Sequence, residues 1–297
     1  MINDITLPFI NFQISWFGIM MVVAFIVTNI FLRRYVKAAG YDEALADDIT
    51  FRAALGGIIG AKLYCIVELS ITDWEACLVQ IGAVYNILLG LLTFFTADGL
   101  ALLKEGLRVL GSGMVFLGGL IGGAFSVYTL IRKRGIEWLE ICDIAAPLVA
   151  LGHGIGRIGC LLVGDDYGVR TDSFLGMTFP YAKPPFSALF SDVVPGETVY
   201  VFPTQIFEMV IYFLIFIYLR YIVVNFALYR FKGQIICEFL FLHGLGRFLV
   251  EFIRTNPDVF LGLSGAQLIS LLMMVSGMAI LFIKNRESIP SEVHGAS

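Results

Sequence analysis

Long apolar stretches dominate this sequence and limit what it can fold into. Six stretches of about twenty residues carry few charges and are long enough to cross a bilayer as helices. They are residues 15–31, 114–131, 141–162, 204–224, 234–252 and 263–283, and residues 49–67 form a weaker seventh. Because 58% of the residues are hydrophobic and only 15% are charged, the bilayer is the expected solvent. The sequence therefore predicts an all-α, polytopic integral membrane protein with about seven transmembrane helices in a single domain, residues 1–297.

Basic residues follow alternate spans and predict the orientation. With seven crossings, all four basic clusters fall on one side, which the positive-inside rule assigns to the cytoplasm. The N-terminus is therefore predicted outside and the C-terminus in the cytoplasm. The clusters are Arg33, Arg34 and Lys37; Arg132, Lys133 and Arg134; Arg230 and Lys232; and Lys284 and Arg286.

Two segments are predicted to lie at the outer face. Residues 77–96 are apolar enough to cross, but one more crossing would move the basic cluster at 132–134 to the outside. We therefore predict an outer-face arm over residues 77–110, re-entrant or interfacial at first and then amphipathic at 99–110. The longest polar excursion, residues 165–201, contains four prolines and predicts a head loop on the same face.

The stretch LGHGIGRIGCLLVGDDYG, residues 151–168, places polar groups inside apolar sequence. At helical spacing His153, Arg157 and Cys160 share one face. An arginine in a membrane helix is costly and normally faces the protein interior or a wet cavity. A functional site is therefore expected around Arg157, although a buried cysteine such as Cys160 is more often a small packing residue.

Ionisable residues on other spans reach a similar depth. At a helical rise of about 1.5 Å per residue, Arg157 lies roughly 25 Å from the cytoplasmic start of its span, and Lys62 and Arg247 roughly 20 Å from theirs. On the same rise, Glu208 lies roughly 8 Å from the outer start of its span. Distant segments of the chain are thus predicted to converge in the outer half of the bilayer.

The sixth predicted span, residues 234–252 with the turn that follows, carries a polar stripe. Its members His243, Arg247, Glu251 and Arg254 follow one another at spacings of 4, 4 and 3 residues. A self-neutralising Arg247–Glu251 pair that tethers helices would explain part of this stripe. With the cations of the other spans, however, the cluster has an excess of positive charge, which suits a phosphate group at headgroup level. The planar fork of arginine also fits phosphate oxygens.

Charge and cysteine usage argue against other classes of protein. The net charge of -4 gives no basic footprint for nucleic acid. The five cysteines are scattered and follow neither a metal-binding spacing nor a disulfide framework. We therefore predict no metal, no other cofactor and no nucleic-acid partner.

A colinear set of motifs identifies a family. The motifs are WFGIMM, GGLIGG, DIAAPL, GRIGC, PTQIFEM, GLGRFLVEFIR and LSGAQLIS, in that order over nearly the whole chain. In these motifs the chain resembles prolipoprotein diacylglyceryl transferase, a multi-pass enzyme of the bacterial cytoplasmic (inner) membrane. The resemblance implies transfer of a diacylglyceryl group from phosphatidylglycerol to the lipobox cysteine thiol of a prolipoprotein. The implied partners are phosphatidylglycerol, the prolipoprotein signal peptide and other membrane lipids.

The resemblance also implies roles for individual residues. Arg157 and Arg247 would hold the lipid phosphate, with Glu251 orienting Arg247. These three are predicted catalytic residues. The residues predicted to bind substrate beside Arg157 are Lys62, Asp165, Gly168, Gln205, Glu208 and Arg254.

The chain departs from the family signature Gly-Arg-x-Gly-Asn-Phe-x-Asn-x-Glu. Cys160 and Val163 replace the two asparagines, and Asp165 replaces the glutamate. A histidine of the family is Leu117 here, and a tyrosine common in the first span is Phe17. These changes fall on the part of the site that would activate the thiol.

The base that accepts the proton of the acceptor thiol is therefore expected at another residue. A thiol has a pKa of about 8.5 and reacts as the thiolate, so it needs a base or a nearby cation. His153, one helical turn from Arg157, is our candidate, whereas His243 is predicted to pack between helices. Asp165 and its neighbour Asp166 are interpreted as acceptors in a loop turn.

Two other functions stay open at this level. A related phospholipid-dependent transferase with another acceptor would tolerate the changed signature. A non-catalytic lipid-binding or lipid-moving membrane protein would keep the phosphate cluster and dispense with the base.

Overall fold

The computed structural model confirms the all-α fold class. It describes residues 5–7, 12–111, 116–194, 197–224, 228–256 and 258–287. Within these ranges the helices are α1 (Trp16–Ala38), α2 (Ala44–Thr72), α3 (Trp74–Leu92), α4 (Ala97–Gly111), α5 (Phe116–Lys133), α6 (Trp138–Val163), α7 (Phe186–Leu189), α8 (Thr204–Val224), α9 (Gln234–Glu251) and α10 (Gly265–Glu287). Two short antiparallel hairpins accompany them, β1 (Ile5–Leu7) with β2 (Phe12–Ile14), and β3 (Asp258–Phe260) with β4 (Leu263–Ser264).

The helices make this a multi-pass membrane protein. Six helices of the described part are long and apolar enough to cross a bilayer, namely Trp16–Ala38, Ala44–Ile71, Trp74–Leu92, Trp138–Val163, Thr204–Ile222 and Gly265–Arg286. The predicted arm contributes one of them, α3, so its re-entrant placement stays a prediction. Two predicted spans, now α5 and α9, have 18 residues each and are not among the six. Both carry charges, since α5 ends in Arg132 and Lys133 and α9 contains Glu238, Arg247 and Glu251.

The chain divides into two compact units. One of them is formed by the middle of the sequence. This unit, Tyr41–Trp138, packs α2 against α5 and α3 against α4. Glycines let the backbones of α2 and α5 approach: a Cβ on Gly60 would lie 2.3 Å from the Gly118 carbonyl oxygen. On α2, Lys62 is buried, and its Nζ donates to Gln80 Oε1 at 2.8 Å.

The second unit comprises Met1–Gly40 and Leu139–Ser297. Its most buried span is α6, whose Ala146 and Ala150 pack into an apolar core with α8 and α9. Near the start of α6, the buried carboxylate of Asp143 accepts hydrogen bonds from the backbone N–H groups of Gly233 and Ile236. Asp143 therefore caps the N-terminus of α9, where backbone donors have no partner within the helix.

In the described residues of the predicted head loop, 165–194 and 197–201, the single turn of helix α7 is the one helical element. It has a small apolar core of its own, formed by Tyr167, Phe179, Phe186, Val193, Val199 and Val201. The backbone N–H of Val169 donates to the Ile253 carbonyl at 2.9 Å, which ties the start of the head to the end of α9. The head therefore connects the end of α6, the start of α8 and the end of α9.

Candidate active site

Three helices of the second unit bring arginines and carboxylates together. Arg157 comes from α6, Glu208 from α8, and Arg247 and Glu251 from α9. Arg254 follows α9 after a turn, because the helix ends at Glu251 rather than continuing through the predicted stripe. The three arginine side chains are 13%, 18% and 9% exposed for Arg157, Arg247 and Arg254.

Glu208 lies at the centre of this cluster. Its side chain is 1% exposed, and its Oε1 accepts from Nη1 of Arg247 at 2.7 Å. Its Oε2 pairs with Nε of Arg157, and Nη1 of Arg254 lies 3.7 Å from Oε1. One buried carboxylate thus lies within 4 Å of three guanidinium groups, and charges buried in a low-dielectric interior need such partners.

Glu251 fixes the position of Arg247. Its Oε2 lies 2.9 Å from Nη2 of Arg247, one helical turn earlier. Its Oε1 accepts from Ser264 Oγ and from Asn256 Nδ2, both at 2.7 Å. Because Glu251 is itself held by the segment before α10, the guanidinium of Arg247 has a defined direction. Sequence reasoning missed Ser264 and Asn256, because neither residue carries a charge that stands out in the sequence.

Asp166 joins Arg157 to Arg254. Its two carboxylate oxygens lie 2.6 Å from Nη1 of Arg157 and 2.7 Å from Nη2 of Arg254. The residue has a φ of 60°, a left-handed conformation that aspartate tolerates better than most residues. Burial by itself raises the pKa of Asp166, but the charges of Arg254 and Arg157 outweigh burial, and the net pKa is lowered.

Asp165, the neighbouring acid, has the opposite environment. Burial raises its pKa, the negative charge of Asp166 adds to this effect, and Arg157 and Lys183 oppose it only in part. Its Oδ1 has no hydrogen-bond partner in the described part of the chain. Ionisation of Asp166 therefore stabilises the fold, whereas ionisation of Asp165 destabilises it.

We expect Asp165→Asn and Asp166→Asn to change thermal stability in opposite directions at pH 7. A lowered folded pKa means that ionised Asp166 stabilises the fold above its unfolded pKa of about 3.9, so Asp166→Asn lowers the Tm. A raised folded pKa means that ionised Asp165 destabilises the fold, so Asp165→Asn raises the Tm. The Asp165 difference should shrink as the pH falls through its raised folded pKa, and the Asp166 difference only as the pH falls below about 3.9. Thermal unfolding in detergent at pH 7, pH 4 and pH 3 measures this, and equal shifts for the two variants at pH 7 would contradict it.

The cluster keeps hydrogen-bond donors for a ligand. Within this unit three guanidinium groups meet three carboxylates, so any surplus of positive charge requires Lys62 from the other unit, whose place in the site stays a prediction. Nη2 of Arg157 and Nε of Arg247 make no hydrogen bond or ion pair to the described residues. These N–H groups belong to the two more exposed arginines. They provide donors for an anion without requiring Glu208 to leave.

Comparison with known proteins assigns the chain to a family. Residues 4–283 match the sequence pattern of prolipoprotein diacylglyceryl transferase. The chain belongs to this family. It is 30% identical over 274 residues, 90% of this chain and 92% of the relative, to the phosphatidylglycerol–prolipoprotein diacylglyceryl transferase of Clostridium tetani. It is 29% identical over 292 residues, 94% of each chain, to the enzyme of that name from Methylococcus capsulatus. It is 29% identical over 254 residues, 85% of this chain and 84% of the relative, to transferase 2 of Clostridium perfringens.

The start of α8 connects the head loop of this transferase to the arginine cluster. Gln205 is 1% exposed, and its Nε2 donates to the Asp165 carbonyl. The Thr204 hydroxyl donates to the Asp166 carbonyl. The described hydrogen bond of Gln205 supports the loop, and its role as a cavity residue stays a prediction. Thr204 was missed, although a threonine at the first position of a helix is a frequent loop contact.

Gly168 lies where the loop passes closest to the end of α9. A Cβ at this position would lie 2.3 Å from the Ile253 carbonyl oxygen and 2.9 Å from Thr204 Cγ2. The backbone N–H of Gly168 donates to the Phe202 carbonyl at 2.9 Å. Only glycine fits where the loop crosses the end of α9. Gly168 therefore allows the backbone of the loop to pass close to Ile253 and Thr204.

Gly168→Ala should therefore destabilise the fold, at a typical overpacking cost of about 1–3 kcal/mol. It should also reduce transfer activity, because Asp166 would move relative to Arg157. Gly156→Ala is a matched control, since its Cβ would have as its nearest atom Met21 Sδ at 3.9 Å. Thermal unfolding and transfer assays on both variants check the expectation, and equal behaviour of the two would contradict it.

His153 does not stand alone on its helix face. Its ring stacks on that of Tyr212 with centroids 3.9 Å apart, and the ring of His243 lies 5.4 Å away. His243 also packs against Phe239 at 5.2 Å. Sequence reasoning placed both histidines near the site but missed Tyr212, whose only signal was its position four residues after Glu208.

Cys160 lies beside the arginine cluster. Nη1 of Arg157 donates to its Sγ at 3.6 Å, and the thiol is buried. One ligand atom each from Cys160, Asp165 and Asp166 would fit within 4.8 Å of one another, which is a possible metal spacing. Asp166, however, already binds two guanidinium groups. A cation there would have to compete with Arg157 and Arg254, so the arrangement favours an anion as ligand.

Proposed function

We propose that this transferase moves the diacylglyceryl group of phosphatidylglycerol to the lipobox cysteine thiol of a bacterial prolipoprotein. The observation that carries the proposal is the Glu208-centred cluster. It holds Arg157 and Arg247 side by side, each with a donor directed to no described residue. Two arginine forks at such a site match the oxygens of a lipid phosphate. The names of the relatives add the two substrates.

The proposed reaction is a substitution at carbon. The thiolate sulfur of the acceptor attacks the glycerol carbon of the diacylglyceryl group that carries the phosphate ester. A C–S bond forms, the C–O bond to the phosphate breaks, and glycerol phosphate leaves with the electron pair. Arg157 and Arg247 stabilise the negative charge that develops on the leaving group. The thiol proton passes to a base, and the product is a thioether.

The surrounding residues are proposed to keep this geometry. Glu251 orients Arg247, and Arg254 neutralises Glu208 and Asp166 from the side opposite the lipid. Asp165, Gly168 and Gln205 hold the loop that closes over the phosphate. Lys62 is proposed as an additional cation for the substrate.

His153 is the proposed base. It lies one helical turn from Arg157, and its ring centroid is 5.4 Å from that of His243. A neutral imidazole can accept the thiol proton, and the neighbouring cations favour the thiolate that results. The ring contact with Tyr212 keeps the imidazole in place.

His153→Ala should lose a factor of about 100 to 10,000 in turnover, the typical contribution of a positioned general base. Affinity for the lipid should change little, because the arginines remain. The deficit should shrink as the pH rises toward the thiol pKa of about 8.5, where the acceptor ionises unaided. A pH–rate profile of the variant measures this. Cys160→Ala is the control on the same helix face and should keep most of the activity. Wild-type turnover in His153→Ala would remove its role as base.

The proposed orientation follows the basic clusters. The N-terminus lies outside the bacterial inner membrane and the C-terminus in the cytoplasm, so that the head loop and the arginine cluster face the outer leaflet. Secreted precursors present their lipobox on that side. The proposal therefore places both substrates at the same membrane face.

A single incubation tests the function against its alternatives. The full-length protein in detergent is mixed with phosphatidylglycerol and a lipobox peptide, and the products are separated by mass. A diacylglyceryl thioether on the peptide supports the proposal. A peptide that stays unmodified while glycerol phosphate is released points to another acceptor. Lipid binding without any release contradicts catalysis and favours a lipid-binding or lipid-moving protein.

A further inference from the structure

A second layer of polar groups lies next to the arginine cluster. We call Arg157, Glu208 and Arg247 the ionic layer, and His153, Tyr212 and His243 the ring layer. On α6, α8 and α9 alike, the ring-layer residue is four positions from the ionic-layer residue. Four residues are about one helical turn, or roughly 5–6 Å of rise. The two layers are therefore parallel and adjacent.

The ring layer lies on the membrane side of the ionic layer. The head loop follows α6 beyond Arg157 and precedes α8 before Glu208. His153, Tyr212 and His243 are one turn further from the head on each helix. Beyond them the helices continue into the apolar core that includes Ala150, Ile215 and Phe239. A lipid whose phosphate binds the ionic layer would extend its acyl chains in this direction.

Two ring-layer atoms lack the partners that buried polar groups require. Tyr212 is 1% exposed, and its hydroxyl has no hydrogen-bond partner among the residues that the structure describes. The same holds for the buried Nδ1 of His243, whose ring centroid is 5.2 Å from that of Tyr212. Burial of such groups without a partner destabilises a protein, so in native structures they nearly always bind a protein group, an ordered water or a ligand. A hydroxyl donates a hydrogen bond, and a histidine Nδ1 does so in one of its tautomers.

The chemistry of the proposed substrate supplies acceptors at this place. In a glycerophospholipid the two acyl esters start on the glycerol that carries the phosphate, on the side of the acyl chains. Their carbonyl oxygens therefore lie a few bonds inward of the phosphate. We propose that the Tyr212 hydroxyl and His243 Nδ1 bind the acyl ester oxygens of the lipid and so hold the diacylglyceryl group while its C–O bond breaks. This inference rests on the proposed function, because it takes the ionic layer as the phosphate site.

The test compares two lipids that differ only in these oxygens. The full-length protein in detergent is titrated with diacyl phosphatidylglycerol and with a dialkyl ether analogue of the same chain length, which lacks both carbonyls. We expect the diacyl lipid to bind about 25-fold more tightly, as two net hydrogen bonds allow. In Tyr212→Phe, which keeps the ring and its stacking on His153, this preference should fall about five-fold. His243→Phe tests the second donor independently.

Tyr221→Phe is the matched control. Tyr221 lies on the same helix but is 59% exposed, so its variant should keep the wild-type preference for the ester lipid. Equal binding of both lipids to the wild-type protein would overturn the proposal, as would an unchanged preference in both Tyr212→Phe and His243→Phe. Because this experiment measures lipid binding, its outcome does not depend on whether the protein catalyses transfer. If the ester preference depends on Tyr212 but no thioether forms, the acyl-ester subsite is supported and the transferase function is contradicted. If a thioether forms but no ester preference exists, the transferase function is supported and the subsite is contradicted.

Discussion

Arg157→Gln and Arg247→Gln should each reduce diacylglyceryl transfer by about 10- to 150-fold, since each arginine has a free N–H donor for phosphate and a charge-assisted hydrogen bond contributes about 1.5–3 kcal/mol. Glutamine keeps much of the length and polarity of the side chain but loses the charge. Most of the loss should appear in kcat/KM, because the leaving phosphate gains charge in the transition state. Product formation from phosphatidylglycerol and a lipobox peptide measures the effect, with membrane insertion checked by size-exclusion behaviour in detergent.

Two further variants make this result specific. Arg157→Lys and Arg247→Lys should recover only a small part of the activity, because an ammonium group lacks the planar fork. Arg170→Gln is the matched control, since Arg170 is also an arginine paired with a carboxylate, Asp192, but both side chains are exposed. It should keep nearly full activity. Wild-type activity in both Arg157→Gln and Arg247→Gln would contradict the phosphate role of the cluster.

The helices themselves were largely predictable from the sequence. Residues 204–224 were expected as a span, and α8 occupies Thr204–Val224. Apolar runs, however, mark only the part of a helix that lies in the membrane. The weak seventh stretch at 49–67 is a helix of 29 residues, Ala44–Thr72, because its polar ends also form backbone hydrogen bonds. Hydropathy cannot detect those ends.

The charged members of the site were predictable for a physical reason. A charge inside a membrane span is expensive, so Arg157, Glu208 and Arg247 stood out against apolar sequence. The residues that position them did not. Asp166 acts through a left-handed turn and two ion pairs, and a turn with two acids is common in loops. Tyr212 looks like any aromatic residue of an apolar helix, and only the three-dimensional packing reveals its buried hydroxyl.

The pairing within the site was also beyond the sequence. Spacing predicts the Arg247–Glu251 contact, because the two residues are one turn apart on one helix. It cannot predict that Glu208 of α8 bridges Arg157 and Arg247, since three helices from distant segments must meet for that. The sequence therefore predicted an excess of positive charge, whereas the described cluster pairs three arginines with three carboxylates. This balance makes Glu208 the residue on which the arginines depend.

Glu208→Gln should accordingly be the most destabilising of the conservative changes in the site. Removing one partner from a buried ionic cluster typically costs about 3–5 kcal/mol, because the remaining charges stay buried without compensation. Arg157 and Arg247 would each lose one of their carboxylate partners. Thermal unfolding in detergent measures the loss. Glu140→Gln is the control, because Glu140 pairs with Lys232 at 3.3 Å in a more exposed position and should cost at most about 1 kcal/mol.

An added anion should partly restore the Glu208→Gln variant. With the carboxylate gone, the guanidinium groups form a site for a negatively charged ligand, and a ligand that binds only the folded state raises its stability. Glycerol phosphate, the leaving group of the proposed reaction, should therefore raise the Tm of Glu208→Gln more than that of the wild-type protein. The same concentration of sodium sulfate reports on general anion effects, and Glu140→Gln should show no extra response to either salt. Equal stabilisation of Glu208→Gln and wild type by glycerol phosphate would mean that Glu208 does not compete with phosphate for Arg157 and Arg247.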